Sequence, residues 1–161
     1  MTARTSTMWD TWRALWDALG TLDLGQHLHA QSPPLVHFGQ PLEEWGEEHI
    51  TLHSVIDSPV EQQWWTYGPG TKEESFGMLL TVQTAVPGAD AWGCVDRLET
   101  MTSAIEEHIA STSLSLATGA RRPDVPGVQW WTLTTFAPEI LPGPNGQRGR
   151  ARIVVNVRSR L

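Results

Sequence analysis

The final alternating run of the chain sets the kind of sheet it can enter. Arg150, Arg152, Val154, Asn156, Arg158 and Arg160 fall on one side, and Ala151, Ile153, Val155 and Val157 on the other. Strand side chains point alternately to opposite faces, so this strand offers one apolar face to a core and one basic face to water or a partner. It belongs in a sheet covered on a single side.

Other segments supply the cover. Met8, Trp12, Leu15, Trp16 and Leu19 recur at helical spacing, predicting a helix over residues 7–19 that Gly20 ends. Thr7 is the expected N-cap, and Asp10 sits in the favourable first turn. A second helix is expected over 91–110, capped by Asp90, with Trp92, Val95, Leu98, Met101, Ile105 and Ile109 as its apolar stripe. Strands are expected at 35–38, 47–56, 62–67, 73–86, 128–136 and 150–158, with 113–118 a short strand or linker. In 47–56, Ile50, Leu52, Ser54 and Ile56 alternate with His49, Thr51, His53 and Val55, the pattern of a half-buried strand. Gly68-Pro69-Gly70 turns the chain between 62–67 and 73–86, which predicts a hairpin. The Pro/Gly-rich stretch Ala137 to Gly149 has little periodicity and reads as a long functional loop.

The expected class is α+β: a single, mostly antiparallel sheet with two amphipathic helices packed on one face. No repeat or boundary interrupts residues 1–161, so one domain is expected. Residues 1–30 lack a signal-peptide pattern, and no apolar run is long enough to cross a membrane as a helix. Cys94, the single cysteine, has no partner for an intrachain disulfide, and a free thiol suits a reducing cytoplasm.

Charge is unevenly spread. Residues 1–111 carry sixteen of the eighteen acids and a net −12, whereas residues 112–161 carry seven arginines and a net +5. Unlike stretches of this kind suit head-to-tail pairing of copies, or else are solvated or neutralise each other within one fold. The acids Glu43, Glu44, Glu47 and Glu48 form an edge that can meet the basic face of Arg150, Arg152, Arg158 and Arg160 on a neighbour. The same arginines can instead blunt an edge strand. An overall acidic protein is poorly suited to gripping phosphates.

Nine tryptophans exceed what a chain of 161 residues readily buries. Trp64-Trp65 and Trp130-Trp131 are adjacent pairs on expected strands, so one member of each faces outward. Outward indoles serve subunit interfaces, or platforms for sugars and bases.

Chemistry-bearing motifs are sparse. Glu47, His49 and His53 share a strand face and could in principle hold zinc, but the helical His-Glu-x-x-His arrangement is absent. Cys94 has no local histidine partner and reads as an inert buried thiol. There is no Gly-x-Ser-x-Gly elbow or phosphate-cradling loop. Nothing apolar surrounds Glu43–Glu48 to raise a carboxyl pKa for acid/base work. The expectation is a non-enzymatic protein without cofactor or metal.

The order of elements resembles the tail terminator (minor tail protein U-like) family of long-tailed bacteriophages. The resemblance runs over nearly the whole chain. It rests on the leading helix, Val36-His-Phe-Gly39-Gln-Pro41, the strand Glu48-His-Ile-Thr-Leu-His-Ser-Val-Ile56 and the Gly68-Pro-Gly70 turn. It continues through Glu73-Glu-Ser-Phe-Gly-Met-Leu-Leu-Thr-Val82, a helix with Arg97-Leu-Glu near its middle, and a terminal strand ending Val-Arg-Ser-Arg-Leu161. The resemblance implies a virion protein of the tail or neck, assembled in the host cytoplasm. It implies a ring, expected as a homohexamer, that caps the tail tube and stops its polymerisation. The implied partners are further copies, the major tail tube protein and a head-completion or stopper protein. DNA passes through without specific binding, and no membrane is involved. The alternatives are another head–tail connector, such as an adaptor or tail-completion protein, a small tryptophan-rich ligand-binding module, and an enzyme using zinc at His49 and His53.

Overall fold

The computed structural model describes residues 7–25, 30, 32–39, 47–53, 61–64, 72–85, 88, 90–111, 128–135, 137–143 and 146–160. Among them are two helices, α1 (Met8–Gly20) and α2 (Ala91–Ser111). The strands are β1 (Leu35–Phe38), β2 (Glu48–Leu52), β3 (Glu61–Trp64), β4 (Lys72–Thr84), β5 (Val128–Thr135), β6 (Glu139–Gly143) and β7 (Gly146–Arg160). The class is α+β, with a mixed, mostly antiparallel sheet.

The two longest strands form the spine, and β4 pairs antiparallel with β7 from Glu73↔Arg160 to Thr84↔Gly149. Each spine strand shares its outer edge between two shorter strands. β2 and β3 lie along β4, and β5 and β6 along β7. The exception to antiparallel pairing is β1, which runs parallel to β2 from Leu35↔His49 to Phe38↔Leu52. The sheet order is therefore β1-β2-β4-β7-β5, with β1 and β5 at opposite ends.

The alternation read in the sequence places the core. Phe76, Met78, Leu80 and Val82 of β4 and Ala151, Ile153, Val155 and Val157 of β7 are buried with Ile50 and Leu52. Trp12, Leu15, Ala18 and Leu19 of α1 and Leu98, Met101, Ile105 and Ile109 of α2 pack against them. Burial of each valine, leucine, isoleucine, phenylalanine or methionine among them contributes about 1.5–3 kcal/mol.

Several expectations change. Thr7 precedes α1 but makes no side-chain cap bond. Its backbone N–H donates to Glu74 Oε2 at 2.8 Å, and its Oγ1 lies 2.7 Å from Ser159 Oγ. Glu74 is fully buried and needs these donors more than the helix end needs a cap. Asp90 does cap α2, its Oδ1 accepting the Gly93 N–H at 2.7 Å. Trp92 and Trp16 leave the apolar stripes and stand 75% and 37% exposed. Each sits off the line that meets the sheet, and in α2 the inward position goes to Cys94 instead.

β2 is buried at all five positions, not alternately, and is flanked by strands on both sides. The His37 and His49 rings meet at 6.1 Å on its polar side. Ser54, Val55 and Ile56 lie outside the described residues, as do 65–70 and 113–118.

The largest correction concerns the stretch Ala137 to Gly149. It is not an irregular loop. Pro142, Gly143 and Gly146 suppress any strand signal, yet Glu139–Gly143 pairs with Gly146–Arg150 as a tight β-hairpin. Gly146 has φ 143°, a conformation that favours glycine. β4 ends its pairing at Gly149, so the hairpin tip extends past the sheet.

Candidate functional site

The basic face of β7 holds its arginines over the outer side of the sheet, away from the helices. Arg150 Nη2 lies 2.5 Å from Glu139 Oε2, and Arg152 Nη2 lies 3.1 Å from Glu139 Oε1. Arg158 Nη2 lies 2.6 Å from Glu73 Oε2. These arginine side chains stay accessible, at 42%, 49% and 42%. Exposed pairs of this kind are held weakly, so the arginines remain available to a second partner. Arg160 ends β7 opposite Glu73 in the register.

Glu139 sits between two arginines. The hydrogen bond from Arg150, then the charges of Arg150 and Arg152, hold its carboxyl below the usual glutamate range. A depressed folded pKa means that its contribution is complete above the unfolded pKa and fades as pH falls through the folded one. Acid should therefore loosen the hairpin base. A carboxyl NMR titration should place the Glu139 midpoint below that of a free glutamate, and Arg150→Gln should move it back up.

The acidic edge divides. Glu43 and Glu44 lie outside the described residues. Glu47 is partly buried beside β2, and its carbonyl accepts the Ala85 N–H at 2.6 Å. Glu48 does not belong to any exposed edge. Its side chain is 0% accessible, and Arg97 of α2 grips it from Nε and Nη2, both at 2.6 Å. Thr84 Oγ1 donates to the same carboxylate at 3.2 Å. Arg97 also donates to the carbonyls of Leu24 and Gly25. The even spacing of Glu48, Ile50 and Leu52 puts all three on the helix side, where Arg97 is the available cation.

Of the tryptophan pairs, Trp64 closes β3 opposite Lys72, and Trp65 lies outside the described residues. In β5, Trp130 is opposite Arg158 and Trp131 opposite Val157. A register shift between Val128 and Trp130 sets this pairing.

The aromatic surface that the structure describes is elsewhere. Trp9, Trp12, Trp16 and Phe38, with Arg13 and Asp17, line a groove of about 380 Å³ between α1 and the edge strand β1. Trp12 is its floor and meets Trp9 at 5.3 Å and Phe38 at 5.5 Å, both edge to face. Trp9 is 58% exposed and Phe38 50%. A signal existed in the sequence: Trp9, Arg13 and Trp16 repeat at four and three residues, a second stripe beside the core stripe of α1. Phe38 joins them only through the sheet register.

No group of three metal-ligating side chains occurs among the described residues. His53 bonds Thr81 Oγ1 at 2.7 Å, and burial keeps its imidazole below the ordinary value. Cys94 is buried, and its Sγ contacts the Gln147 carbonyl at 3.4 Å. Burial, then the charge of Asp90, pushes this thiol up, away from a reactive thiolate. Among the described residues no helix is long and apolar enough to cross a membrane.

No protein family matches the chain in sequence. No curated protein matches it either. Among solved structures, it is similar to a chain of the virion of a native gene transfer agent particle. That similarity has a TM-score of 0.43 and 12% identity, over 97% of this chain and 92% of that one.

Proposed function

We propose that this chain is a structural protein of a phage-like virion, one domain over residues 1–161, that acts as a tail terminator. It assembles with copies of itself into a ring, a hexamer in this reading. The ring caps the tail tube, ends its polymerisation and offers the surface on which the head docks. Its partners are then the tube protein, a stopper protein and its own copies, and DNA passes through without specific binding.

One observation carries this reading: the sheet has two unlike ends. β1 ends it on one side with an aromatic groove beside it, and β5 ends it on the other with a projecting hairpin and a basic outer face. Among the described residues neither end strand has a neighbour beyond it. Unlike, complementary surfaces on opposite sides of one protomer close into rings when copies repeat head to tail. The sequence resemblance to tail terminators points the same way.

The test uses growing tail tubes. Added chain should stop elongation at a fixed length and appear by electron microscopy as a ring on the tube end. Restored docking of heads to finished tails, with elongation unaffected, would assign it to another neck position. The double substitution Arg152→Glu and Arg158→Glu should weaken the ring in moderate salt without unfolding the chain. A full ring surviving that reversal removes the basic face from the seam.

A further inference from the structure

We infer that the β6–β7 hairpin of one copy seats in the α1–β1 aromatic groove of the next. This rests on the ring reading above and names the contact that would hold it.

The hairpin presents a knob. Leu141 is 46% exposed, and Pro142 beside it is exposed as well. Leu141 pairs directly with Arg148, so the two side chains stand on one face of the hairpin. An apolar group and a cation thus project together, past the end of β4.

The groove presents the matching hole. Its walls are the indoles of Trp9 and Trp16 and the ring of Phe38, over the floor of Trp12. Its volume of about 380 Å³ admits a leucine and a proline side chain. Asp17 stands at its rim and is exposed. Among the described residues, neither Asp17 nor Arg148 takes part in an ion pair. The surroundings agree in sign. α1 and the turn after it carry Asp10, Asp17 and Asp23 against Arg13, whereas the hairpin and its base carry Arg148, Arg150 and Arg152 against Glu139.

The occupant is a second copy, because knob and hole belong to the same chain and cannot meet within it. The groove lies at the β1 end of the sheet and the hairpin at the β5 end. Each copy therefore gives a hairpin to one neighbour and receives one from the other. Exposed aromatics flanked by a charged pair are also the composition expected at the centre of a contact.

The test measures assembly of the full chain by sedimentation velocity. A hairpin variant carries Leu141→Asp with Arg148→Asp. A groove variant carries Trp9→Ala with Asp17→Arg. All four positions are exposed, and circular dichroism should report native folds. If either double variant is unfolded, Leu141→Asp and Asp17→Arg alone are read in the same way. Each variant alone should self-associate roughly tenfold or more weakly than the wild type. Mixed in equal amounts they should associate again, at least as a heterodimer, because one intact hairpin meets one intact groove. Rings persisting in both variants would overturn the seat and leave the ring reading standing. So would a mixture that yields no dimer, or variants that form rings but fail only to cap tubes, which would give the groove to another protein. A wild-type chain that stays monomeric, alone and beside tail tubes, overturns both readings.

Discussion

Replacing Arg97 with methionine should lower the stability of the fold by about 3–5 kcal/mol. The reason is the partner left behind. Glu48 is at the helix-side face of β2 with no accessible side-chain surface, and its two oxygens are met by two guanidinium nitrogens at 2.6 Å. Without Arg97, Thr84 remains as a neutral donor to the carboxylate. A buried charge with one weak donor is costly, because the protein interior replaces little of its lost hydration. The same substitution frees the carbonyls of Leu24 and Gly25, which Arg97 ties to α2. The pair itself need not be net stabilising. Changing Glu48 and Arg97 together to methionine removes both desolvation costs, so the double variant should recover most of the loss. Urea denaturation of the two variants decides the matter. A loss under about 1 kcal/mol for Arg97→Met would show that the pair is solvated in solution. Equal losses in single and double variants would assign the effect to packing of the arginine stem instead.

What could be read beforehand follows from periodicity. β4, β7 and both helices carry long alternating or helical stripes, and each appears within a few residues of its expected bounds. Leu98, Met101, Ile105 and Ile109 go into the core as their spacing requires. The failures have local causes. Trp16 and Trp92 count as apolar in any stripe, but hydrophobicity does not say which side of a helix meets the sheet. Residues 139–149 carry proline and glycine at the positions where a strand signal would show, so the hairpin is set by pairing with β7 and not by propensity. Glu48 looked like part of an acidic run, and its cation, forty-nine positions away on α2, is brought to it only by the fold. The groove was hidden for the same reason. Trp9 and Trp16 are neighbours on α1, but Phe38 reaches them through the parallel pairing of β1 with β2, which no local pattern announces.

Gly149→Val should destabilise the protein by about 1–3 kcal/mol and disturb the hairpin more than the rest of the sheet. A Cβ at Gly149 would stand 2.7 Å from Leu98 Cδ1 and 3.2 Å from both Leu98 Cγ and Thr84 Cγ2. Leu98 is 1% exposed and closed in by the core, so it cannot swing clear, and the strain has to be relieved by β7 lifting from α2. That point is the root of the hairpin, two residues from Gln147, whose carbonyl meets the Cys94 thiol. The expected readout is twofold. The urea midpoint should fall, and amide exchange should quicken at 146–149 while protection in the centre of β4 persists. Leu98→Ala alone opens a cavity and should cost about 2–5 kcal/mol. Combined with Gly149→Val, it makes room for the added methyls, so the double variant should lose clearly less than the sum of the singles. If hairpins join neighbouring copies, the valine variant should also assemble more weakly at temperatures where the sheet is intact, and Leu98→Ala should restore part of that assembly. Additive losses, or a hairpin no more mobile than β4, would mean that close packing against α2 does not set how the hairpin is presented.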